Sequence, residues 1–220
     1  MVVLMFGPPG SGKGTQARRL SQWLGVSTIA TGDLLRAEAA AGTELGRELA
    51  LLLASGQFAS DEHVNRIVQA RMARISGDGV ILDGYPRTVN QARFLEQLLS
   101  ERGLGTPYIL HLDVPAEVIV ERLSTRRHCA SCGLVYNLLV HLPKVAGICD
   151  GCGAGLSVRH DDESVVIRRR LQDYCDQTGP VLAHYTSNCF TIDGNRQPDE
   201  VFRMAQDILD PNKTRRNGLH

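Results

Sequence analysis

A glycine-rich loop near the N-terminus constrains the fold more than any other stretch of the chain. The apolar run Val2–Phe6 before it is typical of a buried strand, and Lys13–Leu24 after it repeats apolar side chains at helical spacing. Between them lies the sequence Gly7-Pro8-Pro9-Gly10-Ser11-Gly12-Lys13-Gly14-Thr15. Glycines let backbone N–H groups turn toward an anion, and the helix dipole and Lys13 add positive charge. The pattern predicts a phosphate-binding loop; a tight turn with an exposed lysine is the alternative.

The loop departs from the general pattern after its lysine. Gly14 occupies that position, and the hydroxyl comes one place later, at Thr15. Because such a hydroxyl often binds Mg²⁺ directly, we expect a magnesium ion here to depend more on water and on a carboxylate elsewhere. Asp83, at the end of the apolar run 80–83, is the candidate, since a lone carboxylate at a buried strand end is costly unless it is paired. A capping aspartate is the alternative.

Alternating strand-like and helix-like segments predict the fold class. Strand-like runs follow at 26–30, 80–83, 108–114 and 190–192, and helical patterns at 31–41, 44–54, 61–75, after Thr88, at 115–127, from 161 onward and at 199–209. This order predicts an α/β fold with a parallel sheet covered by helices on both faces and a ligand at the carboxyl ends of its strands. Thr31 is expected to cap its helix. The segments 31–41 and 44–54 are expected to form an outlying helical insert rather than core.

Charge and hydropathy limit the classes of partner that the chain is expected to bind. The 220 residues carry 24 basic and 24 acidic side chains, and no apolar run approaches the ~20 residues of a membrane span. We therefore expect a cytoplasmic protein with neither a nucleic acid nor a membrane as partner. The polar tail 211–220 is expected to fray.

Four of the six cysteines have metal-site spacing. They form the pattern Cys129-x2-Cys132-x16-Cys149-x2-Cys152 inside an insert, 128–158, that lacks helical periodicity. Two CxxC pairs in a chain with an intracellular nucleotide site favour zinc over disulfides. Four thiolates fill a tetrahedral site, so we expect structural rather than catalytic Zn²⁺.

Taken together, these pieces resemble adenylate kinases of the long type with a zinc-bearing lid. The resemblance rests on the loop, on Thr31-Gly32-Asp33 with Arg36, on Asp83-Gly84-Tyr85-Pro86-Arg87-Thr88 with Gln91, on a helix bearing Arg122 and Arg126, on the cysteines, and on residues 159–170. It covers nearly the whole chain in the family's order. It implies a P-loop NTPase-type core at 1–29, 60–121 and 160–220, an AMP-binding domain at 30–59 and a lid at 122–159. It also implies the Mg²⁺-dependent reaction ATP + AMP ⇌ 2 ADP, catalysed by a monomer that maintains adenine nucleotide balance.

The resemblance assigns a role to each candidate site residue. The catalytic set is Lys13, Asp83, Arg87, Arg122, Arg126, Arg159 and Arg170. The ATP-binding set is Gly10, Ser11, Gly12, Lys13, Gly14, Thr15, Arg122, Arg126, Val135, Tyr136 and Gln197. The AMP-binding set is Thr31, Arg36, Gln57, Phe58, Ala59, Gly84, Tyr85, Pro86, Arg87, Gln91, Arg159 and Arg170. For Tyr136, a place in the lid core is the alternative.

Two positions depart from the family's pattern. Ala59 stands where a larger aliphatic residue is usual, and Tyr85 stands where Phe is usual, so a strict preference for AMP is less firmly implied. A kinase for another nucleoside monophosphate is one alternative, which Thr31, Gln91 and the long lid disfavour. A non-catalytic zinc-ribbon regulator is the other, which the complete arginine set and the balanced charge disfavour.

Overall fold

The computed structural model describes residues 1–54, 59–75, 77, 79–185 and 187–210. Gln57, Phe58 and the tail 211–220, all of which carry sequence-based expectations, lie outside the described residues.

The strands form two separate sheets. In chain order the described strands are β1 Val2–Phe6, β2 Ser27–Ala30, β3 Val80–Asp83, β4 Tyr108–Asp113, β5 Arg126–Cys129, β6 Val135–Asn137, β7 Leu156–Ser157 and β8 Cys189–Asp193. The main sheet is parallel, with the order β2-β3-β1-β4-β8. The small sheet is antiparallel, with the order β6-β5-β7. The strand order of the main sheet changes direction beside β1, which places the loop after β1 at a carboxyl-edge crevice.

Helices cover the main sheet on both faces. They are α1 Lys13–Leu24, α2 Thr31–Ala40, α3 Glu44–Ala54, α4 Asp61–Met72, α5 Val89–Glu101, α6 Ala116–Ser124, α7 Ser164–Asp173, α8 Gly179–His184 and α9 Pro198–Leu209. A 3-10 turn, His160–Asp162, precedes α7, and a π-helical turn, Tyr174–Thr178, joins α7 to α8. None of the described helices is long and apolar enough to cross a membrane.

The two faces of β1 belong to different apolar clusters. Val2, Leu4 and Phe6 pack in a cluster with α4 and α5, whereas Val3 and Met5 pack in a second cluster with α1 and α9. A strand that is buried on both faces explains why the run Val2–Phe6 is apolar throughout rather than alternating. The predicted α/β class with a doubly covered parallel sheet is confirmed.

Several sequence-based boundaries are wrong. The helix expected at 115–127 ends at Ser124, and Arg126 lies on β5, paired with Asn137. The hydroxyls of Ser124 and Thr125 both donate to the Glu121 carbonyl oxygen in the last turn of the helix. The helix expected at 61–75 ends at Met72. The helix expected to begin at Asp161 begins instead at Ser164, after the 3-10 turn, and the π-helical turn follows it from Tyr174.

The segments expected to be outlying belong to the main core. Leu35 of α2 and Leu49 of α3 are buried in the same cluster as Phe6. Gly46 makes this packing possible, because a Cβ there would lie 2.6 Å from the Glu38 carbonyl oxygen of α2. Thr31 is the first residue of α2 rather than its cap, and its hydroxyl donates instead to the Gly84 carbonyl oxygen, 2.9 Å away.

Candidate active site

The glycine-rich loop joins β1 to α1 in a left-handed path. Gly7, Gly10 and Gly12 have φ angles of 141°, 83° and 96°, which other residues rarely adopt. A Cβ on Gly10 would lie 2.8 Å from Leu123 Cγ, so the loop also rests closely on α6. Lys13 reaches back across the loop, and its Nζ donates to the carbonyl oxygens of Gly7 (2.6 Å) and Pro8 (2.8 Å).

Lys13 and Asp83 face each other at the carboxyl edge of the sheet. Burial lowers the pKa of Lys13 to about 7, although the nearby Asp83 carboxylate acts in the opposite direction. Burial likewise raises the pKa of Asp83, against the opposing effect of Lys13 and Arg87. When the site holds only protein groups, burial disfavours the charged forms of Lys13 and Asp83. The charged form of each is favoured again when a ligand of opposite charge lies beside it.

Gly14 lets the Asp83 carboxylate approach the loop. A Cβ at position 14 would lie 3.1 Å from Asp83 Oδ2, closer than ordinary van der Waals contact. The departure from the general loop pattern therefore has a steric reason: a side chain after the lysine would push against the carboxylate.

The turn after β3 positions Arg87. Gly84 has a φ of 74°, and a Cβ there would lie 3.1 Å from Arg87 Nη2. Arg87 Nε donates to the Gly84 carbonyl oxygen at 2.9 Å. Burial and the neighbouring Arg36 lower the pKa of Arg87, against Asp83. Arg36 is paired with Asp33, and burial together with the cation of Arg159 lowers its pKa. Arginines from three parts of the chain, Arg36, Arg87 and Arg159, thus lie near one another in a part-buried, positively charged space.

Asp161 and Asp162 hold the other arginines. Arg126 Nε donates to Asp162 Oδ2 at 2.7 Å, and Arg126 Nη2 donates to Oδ1 of the same carboxylate. Arg159 Nε and Nη2 donate to Asp161 Oδ1 and Oδ2 at 2.8 and 2.6 Å. Arg170 Nη1 lies 3.1 Å from Asp161 Oδ2 and 3.6 Å from Asp162 Oδ1.

Ion pairing and burial act in opposite directions on the groups of this network. Burial disfavours ionisation of Asp161, but Arg170 and Arg159 outweigh it and hold the pKa of Asp161 well below its usual range. Burial lowers the pKa of Arg170 to about 10, with Asp161 opposing the shift. Sequence reasoning missed both aspartates as site residues and took Asp161 only as a helix start. The sequence signal that could have identified them is their position as two adjacent acidic residues between Arg159 and Arg170, both expected to bind phosphate.

Arg122 is separate from this network. It lies in the last turn of α6, and its Nη1 donates to the Gly194 carbonyl oxygen at 3.0 Å. Gln197, the residue before α9, is exposed, and its carbonyl oxygen accepts from the N–H groups of Glu200 and Val201. Arg122 therefore lies beside the loop after β8, the same loop that leads to Gln197.

Tyr136 lies in the core of the small sheet. It is 2% exposed; its hydroxyl donates to Cys149 Sγ (3.6 Å) and accepts from the Asp150 N–H (2.7 Å). This is the alternative that the sequence left open for Tyr136. Val135 beside it is 37% exposed.

Several residues expected around AMP are buried near the turn that follows β3. Thr31, Tyr85 and Gln91 are all buried at 2% exposure or less, and Ala59 and Pro86 are also buried. The Tyr85–Pro86 peptide is cis. The Tyr85 hydroxyl donates to Asn65 Oδ1 at 2.6 Å. This bond uses the hydroxyl that distinguishes Tyr85 from the family's usual Phe.

The four predicted metal-binding cysteines come together in the small sheet. Their sulfur atoms all lie within 4.8 Å of one another, with Cys129 to Cys152 and Cys132 to Cys149 each 3.4 Å apart. Four thiolates bound to one tetrahedral Zn²⁺ at ~2.3 Å would be ~3.8 Å apart, so the donor set and its spacing fit that ion. Around them the described apolar cluster is small: Tyr136, Leu134, Ala154 and Leu156.

The comparisons with known proteins agree with this geometry. A profile of the family described as "Adenylate kinase" matches residues 5–190. The chain is 41% identical over 212 residues to an adenylate kinase of Thermosipho melanesiensis, covering 95% of this chain and 99% of the relative. It is 42% identical over 211 residues to one of Petrotoga mobilis, covering 95% and 97%, and 39% identical over 212 residues to one of Anaeromyxobacter dehalogenans, covering 95% and 99%. On this evidence, the chain belongs to the adenylate kinase family.

Proposed function

We propose that this chain transfers the terminal phosphoryl group of ATP to AMP, reversibly and with Mg²⁺, to give two molecules of ADP. The observation that carries the proposal is the meeting of Lys13 and Asp83 with Arg87 and Arg36 on one side and with Arg126, Arg159 and Arg170 on the other. Phosphoryl transfer needs two phosphate chains held in line, with their charge neutralised and water kept out.

The donor half of the site is the glycine-rich loop. Residues 10–15 surround the ATP phosphates with N–H groups, and Lys13 exchanges its loop carbonyl partners for the phosphate oxygens. Arg122 and Arg126 bind the same nucleotide, while Val135 and the Gln197 loop lie beside its base. Tyr136 supports this region from within the lid rather than by side-chain contact with ATP.

The acceptor half is built around Arg87. Its guanidinium and that of Arg36 bind the AMP phosphate, because a planar fork matches two phosphate oxygens. Arg159 and Arg170 bridge to the transferring group. Thr31 and Gln91 face the adenine, with residues 57–59, 84 and 85 around it. Asp83 would hold Mg²⁺ through water, and the ion would neutralise charge on the phosphates.

This assignment divides the chain into three parts. The core is 1–29, 60–121 and 160–220, the AMP-binding domain is 30–59, and the lid is 122–159 with structural Zn²⁺ on its four cysteines. We propose a monomer that works in the cytoplasm on ATP, AMP and ADP; the family membership supports this.

An acceptor panel tests the proposal. Purified protein with Mg-ATP is given AMP, UMP, CMP or GMP, and ADP formation is measured. We expect AMP to be the preferred acceptor, and loss of at least ~10³-fold in kcat/KM in Arg87→Ala and Lys13→Ala, since each removes charge from the transition state. Arg66→Ala is the matched control, because Arg66 is exposed and paired only with Glu62 among its described ion pairs. Preference for another monophosphate favours the second kinase hypothesis, and salt-sensitive RNA binding without turnover favours the regulator.

A further inference from the structure

The side-chain amide of Gln91 is held at both ends. Its Oε1 accepts from the Arg87 backbone N–H at 2.8 Å, and its Nε2 donates to Asp61 Oδ1 at 2.7 Å. Gln91 is 2% exposed, so these bonds form away from water. A backbone N–H can only donate and a carboxylate can only accept. The two partners therefore permit one orientation of the amide and oppose the other.

Asp61 is itself fixed in place. It is the first residue of α4, and its Oδ2 accepts from the Thr88 hydroxyl at 2.8 Å. The Thr88 hydroxyl in turn accepts from the Gln91 backbone N–H at 3.1 Å. One turn along α4, Asn65 accepts from the Tyr85 hydroxyl. Since residues four apart lie on one face of a helix, Asp61 and Asn65 bind the segment 85–91 from a single face of α4.

We propose that Asp61 is a positioning residue that sets the base specificity of the acceptor site by fixing the orientation of the Gln91 amide. The inference rests on the proposed function, in which Gln91 faces the base of the monophosphate. Asp61 bonds to Gln91 and Thr88, and it acts on the base only through the amide that it holds.

The chemistry of the two purine edges gives the reason. After its bonds to Arg87 and Asp61, the Gln91 amide retains one N–H and one carbonyl lone pair. Adenine offers an acceptor at N1 and a donor at N6, and this pair satisfies both. A 6-oxopurine offers a donor at N1 and an acceptor at O6, so the same two positions need the amide turned over.

Turning the amide over is costly because of its protein partners. Gln91 Oε1 would then face the Asp61 carboxylate, and the amide N–H would face the Arg87 N–H. Two buried bonds would become two repulsive contacts. A mismatch of this kind lowers kcat/KM on the order of 10- to 100-fold.

Inosine monophosphate is the probe that isolates this effect. It presents the 6-oxopurine edge without the 2-amino group of GMP, so steric exclusion of that group does not enter. We would measure kcat/KM for AMP and for inosine monophosphate at saturating Mg-ATP in the wild type, Asp61→Ala, Asp61→Ser, Asp61→Asn and Glu62→Ala. Glu62 is the matched control: it is the next acidic residue of α4, its side chain is 79% exposed, and it pairs with Arg66.

The expected pattern is specific to an orienting role. In Asp61→Ala and Asp61→Ser the ratio of AMP to inosine monophosphate kcat/KM falls by about tenfold or more, because one of the two contacts that oppose turning of the amide is lost and only the Arg87 N–H remains. In Asp61→Asn the ratio stays within about threefold of the wild type, since Asn Oδ1 still accepts from Gln91 and the Thr88 hydroxyl can accept from the Asn amide. In Glu62→Ala the ratio is unchanged.

Other outcomes overturn the proposal in distinguishable ways. If Asp61→Ala and Asp61→Ser lower kcat/KM equally for both acceptors, Asp61 is only structural. If Asp61→Asn behaves like Asp61→Ala, an accepting oxygen is not what fixes the amide. If the wild type turns over AMP but takes inosine monophosphate equally well, Gln91 does not read the base, and that part of the proposed function fails with the inference.

Discussion

Replacing Asp162 with alanine removes the acidic partner of Arg126 from a buried position. The Asp162 side chain is 0% exposed and Arg126 is 14% exposed, and the guanidinium donates to both carboxylate oxygens. Removing one partner of such an ion pair lowers the free energy of unfolding by about 3–5 kcal/mol, because the remaining charge is left in the interior without its partner. Asp161 still lies near Arg170, so we expect the lower end, about 3 kcal/mol. For a chain of this size that corresponds to a fall in Tm of about 6–12 °C.

A nucleotide should restore much of this loss. The phosphates of ATP bring negative charge to the same arginines, so a saturating, non-transferable ATP analogue should raise the Tm of Asp162→Ala more than it raises that of the wild type. The assay is thermal unfolding with and without the analogue. Asp162→Asn keeps the shape without the charge and should behave like Asp162→Ala. Asp199→Ala removes an ion pair to Arg19 whose acid is 75% exposed, and should cost no more than about 1 kcal/mol.

The reasoning fails if Asp162→Ala melts within about 2 °C of the wild type, a shift that corresponds to less than about 1 kcal/mol. It also fails if the analogue stabilises Asp162→Ala and the wild type equally, since the carboxylate and the phosphates would then not share partners.

Two further predictions concern Lys13 and the lid. The folded-state pKa of Lys13, about 7, is below its usual value of 10.5, so in this range the unfolded chain binds more protons and stability rises with pH. Without nucleotide, Lys13→Met should therefore be more stable than the wild type at pH 7, with a gap in Tm that narrows toward pH 10; a gap that is constant with pH would contradict this. Chelation with a strong zinc ligand, or Cys149→Ser, should lower Tm by several degrees while the molecules that remain folded keep most of their kcat, because a Zn²⁺ on the proposed site would stabilise the small apolar cluster around the cysteines without taking part in the chemistry. Equal melting with and without the chelator would show that the cysteines hold no metal.

The sequence predicted those strand and helix bounds that depend on the local pattern of apolar and polar residues. The bounds of β1, α1, α3 and β3 follow from buried runs between glycines and polar residues, and the structure has them at the predicted residues. Arg126 was misplaced because a charged strand such as Arg126–Cys129 carries no apolar alternation, and its pairing with β6 comes from the hairpin around the cysteines.

Partnerships across the chain could not be read from local pattern. Asp61 and Gln91 are distant in sequence, and only the packing of α4 on the β3–α5 turn brings them together. In the same way, Asp162 looked like a residue near a helix start, whereas its carboxylate pairs with Arg126 of β5, 36 residues earlier in the chain. The family resemblance supplied residue roles, but not the acidic residues that hold those side chains in place.

The close approach of Gly14 to Asp83 has a consequence for how relatives of this chain can diverge. A side chain at position 14 would crowd the carboxylate, which would have to shift by a few tenths of an ångström, and a larger withdrawal would leave Lys13 with a different electrostatic partner. The two positions lie far apart in the sequence, yet neither can change freely while the other stays. We therefore expect them to covary among homologues: lineages with a bulkier residue after the lysine should also carry an altered residue at the end of β3.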